Sequence, residues 1–431
     1  MYYTDDVIEQ STEQKLLLHL LPLLCLVAMA GTLNQLSLQY AASALGQALA
    51  LDATQLGIAE NLFCLGYLAA SLPAAWLLLR FGPRLWISGA VLATGCVALA
   101  QALVWDAGSL YAVRLLLGVA EAGLPPAMVF YLMQWMPEQH RPKGIVALVA
   151  AAALVPLFAG ELSQFILWIA GWFGFDDWRC LFVVEGLPTL WLGLHVPGRT
   201  PEAPAEVNWL PPSERLWLLD RLGQSAAAGA ALRFADGLRS VAAWKLAAVQ
   251  GIVGLVGGSL GMWVPLAMQQ SGYVRPGIGF AIMLIAAAIG MGSAVGAGLV
   301  WHERAQWRRV LIVGLALAGV CLGIAAALPF GIAAVLMLAV VAMIVPGMLA
   351  LTWIMAPCVL AGVAAASGFA LVSMAGTLGY FAAGGLAAVQ NDAGGRCIVL
   401  AVACFVAAWL VRGLDGRHPA GLTASAVTPG E

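Results

Sequence analysis

Leu110–Met133 reads LYAVRLLLGVAEAGLPPAMVFYLM, an apolar run interrupted by one arginine, Arg114, and one glutamate, Glu121. Their spacing is about two helical turns, so both charges project from the same face. A charge at bilayer depth costs roughly 2.5–3.5 kcal/mol on insertion scales, and such groups line a polar pathway or pair inside a bundle. The stretch predicts a membrane-spanning helix that serves transport. Its two charges suggest that the cargo is charged.

The rest of the chain has the same character. Its 431 residues are 62% hydrophobic and only 10% charged, with a mean hydropathy of +0.91. No water-soluble globular protein has that balance. A hydrocarbon core of ~30 Å needs ~20 apolar residues per helix. Twelve spans satisfy this: 16–44, 56–79, 85–105, 109–136, 144–170, 178–197, 241–270, 277–301, 309–329, 331–355, 358–388 and 396–412. The polar, acidic start carries no cleavable signal peptide, so the first apolar run is expected to be retained. The eight cysteines are scattered singly with no CxxC pair, which argues against a metal site or a disulfide framework. A net charge of -2 and the lack of a long basic run give no support to nucleic-acid binding.

A polar, Pro-rich segment after the sixth span divides the chain into six plus six. Residues 1–197 read as an N-terminal six-helix bundle. Residues 198–240 read as a cytoplasmic linker with a short amphipathic helix after Pro212. Residues 241–431 read as a C-terminal six-helix bundle and a short tail. With the N-terminus inside, all of the 20 lysines and arginines except Arg114, Arg179, Arg275 and Arg396 fall on the inner side. The positive-inside rule thus favours twelve helices with both termini cytoplasmic. Basic loops recur at matching places in the two halves, RFGPR at 80–84 and WHERAQWRR at 301–309, as a duplicated unit would give. Transporters built from such repeats bind substrate near the membrane midplane, at the repeat interface.

Four segments are more specific: ATQLGIAENLFCLGYLAASLPAAWLLLRFGPRLW (53–86), RLLLGVAEAGLPPAMVFYLMQWMPEQHRPKGIVAL (114–148), DDWRCLFVVEGLPTLWLGL (176–194) and TWIMAPCVLAGVAAASGFALVSMAGTLGYFAAG (352–384). In order and spacing they resemble the anion:cation symporter family of the major facilitator superfamily. The resemblance implies an all-α membrane protein of the major facilitator fold. It also implies a secondary transporter of organic anions, often driven by protons through alternating access.

The resemblance also nominates residues. Arg114 matches an arginine implied to hold a substrate carboxylate, for which a guanidinium offers a planar fork. An ion pair with Glu121 or Glu161 is its competing structural role. Glu121 matches a glutamate implicated in proton coupling: burial disfavours the carboxylate and a nearby arginine favours it. Tyr67 matches a cavity-lining tyrosine. Trp353, Ser373 and Thr377 match substrate-contacting positions that in the family are usually Trp, Asn and Asn. For each of these, plain packing is the alternative. The chain also departs from the family. An Asp-Arg-x-Asn pattern in helix one is here Asn34, Gln35 and Ser37, so the titratable and cationic groups there are gone. In helix five AGELS places Glu161 where the family has proline, which suggests a relocated titratable site. Glu185, in VVEGLP, is expected in a structural charge pair. Trp178 and Arg179 are expected to anchor the outer end of that helix.

These readings converge on proton-coupled import of a small organic carboxylate by a monomer in the lipid bilayer of a bacterial inner membrane, with sodium the less favoured coupling ion. One binding arginine and the short Ser373 and Thr377 favour a monocarboxylate, aromatic or bulky, over a dianion. The alternative is a zwitterion or neutral-solute transporter, exporter or uniporter in which Glu161 holds an amine and proton coupling is lost. A membrane receptor would need a signalling domain that the linker is too short to supply. No Walker loop, GxSxG, HExxH or dinucleotide fingerprint stands in a fitting context, so no enzyme activity, catalytic residue, cofactor or metal is expected.

Overall fold

The computed structural model describes residues 2–172, 177–229, 232–271, 285–286, 288–290, 292, 304–329, 331–389 and 392–414. Every regular element among them is helical. The series runs α1 (Tyr2–Ala48), α2 (Ala53–Phe81), α3 (Pro83–Gln101), α4 (Ala107–Glu121), α5 (Leu124–Trp135), α6 (Arg141–Trp172) and α7 (Asp177–Arg199), then a 3-10 turn (Pro204–Glu206). It continues with α8 (Pro212–Gly229), α9 (Phe234–Arg239), α10 (Val241–Ser271), α11 (Arg304–Ala327), α12 (Ile332–Val359), α13 (Gly362–Val389) and α14 (Ala393–Arg412).

Eleven stretches among the described residues are long and apolar enough to cross a membrane. They correspond to eleven of the twelve expected spans; the remaining one, 277–301, falls almost entirely outside the described residues. Two local differences have physical causes. The first helix begins near residue 2 rather than 16, because its polar start continues the helical ladder instead of unwinding at the apolar boundary. The span expected over 109–136 is two helices. Pro125 and Pro126 lack N–H donors and cannot continue a helix begun upstream, whereas the first turn of a new one accepts them. α4 therefore stops at Glu121 and α5 starts at Leu124.

The chain divides into two compact units: Met1–Leu132 with Ala147–Glu214, and Met133–Val146 with Arg215–Glu431. In the first, α2 lies along α4, α3 along α7, and α1 against α7. A core of Leu38, Leu45, Leu110, Trp178 and Phe182 fills one end. Asp52 and Asp106 start α2 and α4 with reciprocal capping boxes, which satisfy helix-end donors that apolar neighbours leave unpaired. The extension of α1 holds the start of α8: Lys15 pairs with Glu214 at 2.7 Å, and the His19 ring stacks on Trp209. Arg84 grips the end of α7 through the Pro197 carbonyl at 2.6 Å and Glu202 at 3.2 Å. In the second unit α10 lies along α13 and α11 along α14, with a core of Val256, Leu322, Leu338, Leu400 and Cys404.

Candidate functional site

Two glycines set the geometry of the charged site in the first unit. A Cβ on Gly118 would overlap the Phe63 carbonyl, and one on Gly66 would overlap the Leu115 carbonyl. Without side chains there, the backbones of α2 and α4 come into direct contact. The contact brings Phe63 and Glu60 of α2 beside Arg114 of α4, and Tyr67 beside Gly118.

Arg114 is fully buried. Its Nη2 donates to Glu60 Oε2 at 2.8 Å, making an ion pair between α4 and α2. The same nitrogen donates, more weakly, to the Gln35 carbonyl of α1 at 3.4 Å. The guanidinium carbon lies 5.1 Å from the Phe63 ring centroid, within cation–π range. Phe63 and Tyr67 are neighbours with centroids 6.2 Å apart. Among the described residues the buried Arg114 Nε and Nη1 have no acceptor, and the buried Glu60 Oε1 has no donor. The cation is held by one nitrogen and leaves two donors unused.

The expected partners of Arg114 are corrected accordingly: among the described residues neither Glu121 nor Glu161 bonds to it. Seven residues of helix separate Arg114 from Glu121 by about 10 Å of axial rise, which is too far for a direct pair along one helix. Glu121 is 5% exposed, with Oε1 unpartnered, at the last residue of α4. Glu161 is exposed on α6 and makes no hydrogen bond or ion pair among the described residues. Glu60 did not stand out in the sequence although it lies within a quoted motif. An acid inside an apolar span was the available signal.

The helix-one residues divide. Gln35 joins the Arg114 cluster through its carbonyl, whereas Asn34 turns to α7 and donates to Thr189 Oγ1 at 2.9 Å. Ser37 is buried and donates to the Asn34 carbonyl at 2.7 Å. Glu185 lacks the expected charge pair: both carboxylate oxygens are buried without a partner among the described residues. The nearest cation in its own helix, Arg179, is used elsewhere. It donates to the Ala102 carbonyl and stacks on Trp178, as an anchor of α7 should.

The second unit holds Trp353, Ser373 and Thr377. Trp353 is buried on α12, edge-on to Phe369 at 6.4 Å. Ser373 is buried and Thr377 half-buried on α13. Gln250 of α10 is a further polar residue there, which the sequence did not single out. Its side chain lies over Gly376, one turn from Ser373, and its Oε1 is buried without a partner among the described residues. Gln250 and Ser373 thus give the second unit uncharged hydrogen-bonding capacity within a mostly apolar setting. Among the described residues no cluster of histidine, cysteine, aspartate and glutamate is placed to hold a metal ion.

A model of the Major Facilitator Superfamily matches residues 23–384. A protein of Agrobacterium vitis named as a tartrate transporter is 30% identical over 397 residues, covering 88% of this chain and 86% of its own. NicT of Pseudomonas putida, named as a metabolite transport protein, is 26% identical over 392 residues, covering 88% of this chain and 87% of its own. Among solved structures, the proton:xylose symporter XylE bound to 6-bromo-6-deoxy-D-glucose matches with a TM-score of 0.69 at 15% identity, over 94% of this chain and 99% of that one. At that identity the likeness concerns the fold alone.

Proposed function

The chain belongs to the Major Facilitator Superfamily, and from that premise we propose that it carries a small organic carboxylate across the membrane by alternating access, driven inward by protons. It is a multi-pass membrane transporter and not an enzyme. The reading adds the substrate class, the coupling ion and a topology with both termini cytoplasmic.

One observation carries it: a fully buried arginine in a membrane span with two guanidinium nitrogens lacking acceptors. A bare cation there is costly, and Glu60 satisfies only part of it. A substrate carboxylate supplies the missing acceptors, and charge-assisted bonds of this kind are about twice as strong as neutral ones. The name of the Agrobacterium relative supports a carboxylate cargo. Arg114 is the one fully buried cation among the described residues of the first unit, which favours one carboxylate group there. Glu121, buried on the face of α4 that bears Arg114, is the proposed proton carrier. A proton crossing with the field gains about 2.3 kcal/mol per 100 mV.

The test is internal pH in proteoliposomes during addition of tartrate, benzoate or a neutral sugar outside. Acidification by an acid, lost in Arg114→Gln and in Glu121→Gln, is the expected result. Uptake of an amine or sugar without acidification would replace this reading with the zwitterion or neutral-solute one.

A further inference from the structure

We propose that Glu60 is an acid that gates Arg114: with Glu60 ionised the arginine is closed to substrate, and a proton on Glu60 opens it. This rests on the carboxylate reading above and assigns it a residue that the family resemblance does not supply.

The Arg114 guanidinium offers two faces to an anion. A carboxylate can dock on it end-on, across Nη1 and Nη2, or side-on, across Nε and Nη2. Both forks share Nη2. That atom is the one engaged here, by Glu60 Oε2 at 2.8 Å and by the Gln35 carbonyl at 3.4 Å. Nη2 has one N–H in each fork, and with the Glu60 carboxylate and the Gln35 carbonyl both on that nitrogen neither fork is whole; release of Glu60 restores the fork that it occupies. A proton on Glu60 removes the charge that holds Nη2 and leaves a hydroxyl able to turn away. The Glu60 side chain is 21% exposed whereas that of Arg114 is fully buried. The acid is thus the less enclosed of the two partners, and the arginine lies against the Phe63 ring.

Few other titratable groups surround Glu60. On α4 they are Arg114, Tyr111 one turn before it and Glu121 two turns after it. α2 adds Cys64 and Tyr67. α1 beyond His19 carries Cys25 and Tyr40, and α3 between Trp86 and Gln101 carries only Cys96. The one other cation on these stretches, Arg80 of α2, stands about 30 Å of helix away from Glu60. Glu60 thus fills the role left vacant at Asn34. The relocated acid is on helix two, and Glu161, exposed and apart, does not supply it.

The experiment is tracer exchange of tartrate and of benzoate in proteoliposomes with equal pH on both sides, repeated over a pH series. For the wild type, KM is expected to rise about tenfold per pH unit once Glu60 is ionised, since binding then takes up one proton. Glu60→Gln is expected to show a low KM that no longer follows pH, and Glu60→Asp to restore the dependence. A Glu60→Gln carrier whose KM follows pH as the wild type's does would overturn the inference while leaving the carboxylate reading intact. If Glu60→Gln does not fold, calorimetry of Glu121→Gln, in which the other acid cannot take up a proton, in buffers of different ionisation enthalpy decides. About one proton taken up per bound anion supports the gate, and none taken up overturns it. A wild type that moves neither acid overturns the carboxylate reading and the gate together.

Discussion

Asn34 on α1 is joined to Thr189 on α7: its Nδ2 donates to the threonine hydroxyl at 2.9 Å, and that hydroxyl donates to the Glu185 carbonyl at 2.9 Å. The residue occupying the place of the family's helix-one acid thus faces a neighbouring helix and not the arginine. Asn34→Asp should consequently add no proton dependence to transport, and should lower the thermal midpoint by burying a carboxylate. Asn34→Ala should cost about 1 kcal/mol, the usual net value of a lost hydrogen bond. Midpoints in detergent and the pH profile of exchange check both. New proton dependence in Asn34→Asp would show that this side chain reaches the transport pathway.

Gly118 and Gly31 should respond oppositely to the same change. A Cβ at Gly118 meets the Phe63 carbonyl, while one at Gly31 meets nothing within 4 Å. Gly118→Ala should cost about 1–3 kcal/mol as overpacking and impair transport by moving Phe63 and Glu60. Gly31→Ala should gain up to about 1 kcal/mol from helix propensity. Equal thermal midpoints for the two variants would contradict the close packing of α2 on α4.

Glu185 is buried with neither carboxylate oxygen bonded. An unsatisfied buried polar group costs about 1–3 kcal/mol. Glu185→Leu, close in volume, should raise the thermal midpoint, and a clear fall would reveal a partner that stabilises the acid.

Asp106 caps α4 outside the membrane span. Hydrogen bonds from the Ser109 hydroxyl, then from its backbone N–H, hold its carboxyl below the ordinary carboxylate value. A lowered value in the folded state means stability that is present above the carboxylate range and lost as pH falls through it. The midpoint difference between wild type and Asp106→Ala should be widest near neutral pH and narrow on acidification. A difference that grows in acid would reverse the sign of the effect.

The spans were legible because apolar runs of sufficient length leave few alternatives, but the break in the fourth was not expected, although Pro125 and Pro126 were its available signal. Arg114 was legible for the same reason, as a charge inside such a run. Its partner was not. Within one helix the only nearby acid is Glu121, two turns away, and the run of residues around Arg114 contains no hint of Glu60. That pairing depends on Gly66 and Gly118 setting two helices in contact, and a glycine in a membrane span can equally mark ordinary packing. The orientation of Asn34 was hidden in the same way: its bond to Thr189 spans 155 positions of sequence. Backbone period fixes which face a residue occupies on its own helix, not which helix that face meets.

The glycine contact between α2 and α4 has a mechanical consequence. Helices that touch backbone to backbone have no layer of side chains to shear, so they travel as one plank. Glu60 and Arg114 ride on that plank at a fixed spacing through whatever tilting the carrier undergoes. With the two backbones moving together, parting the pair takes a turn of the glutamate side chain or a change in its charge. If Glu60 gates as proposed, the choice between empty and loaded is made by chemistry at its carboxyl and carried, not created, by the motion of the helices.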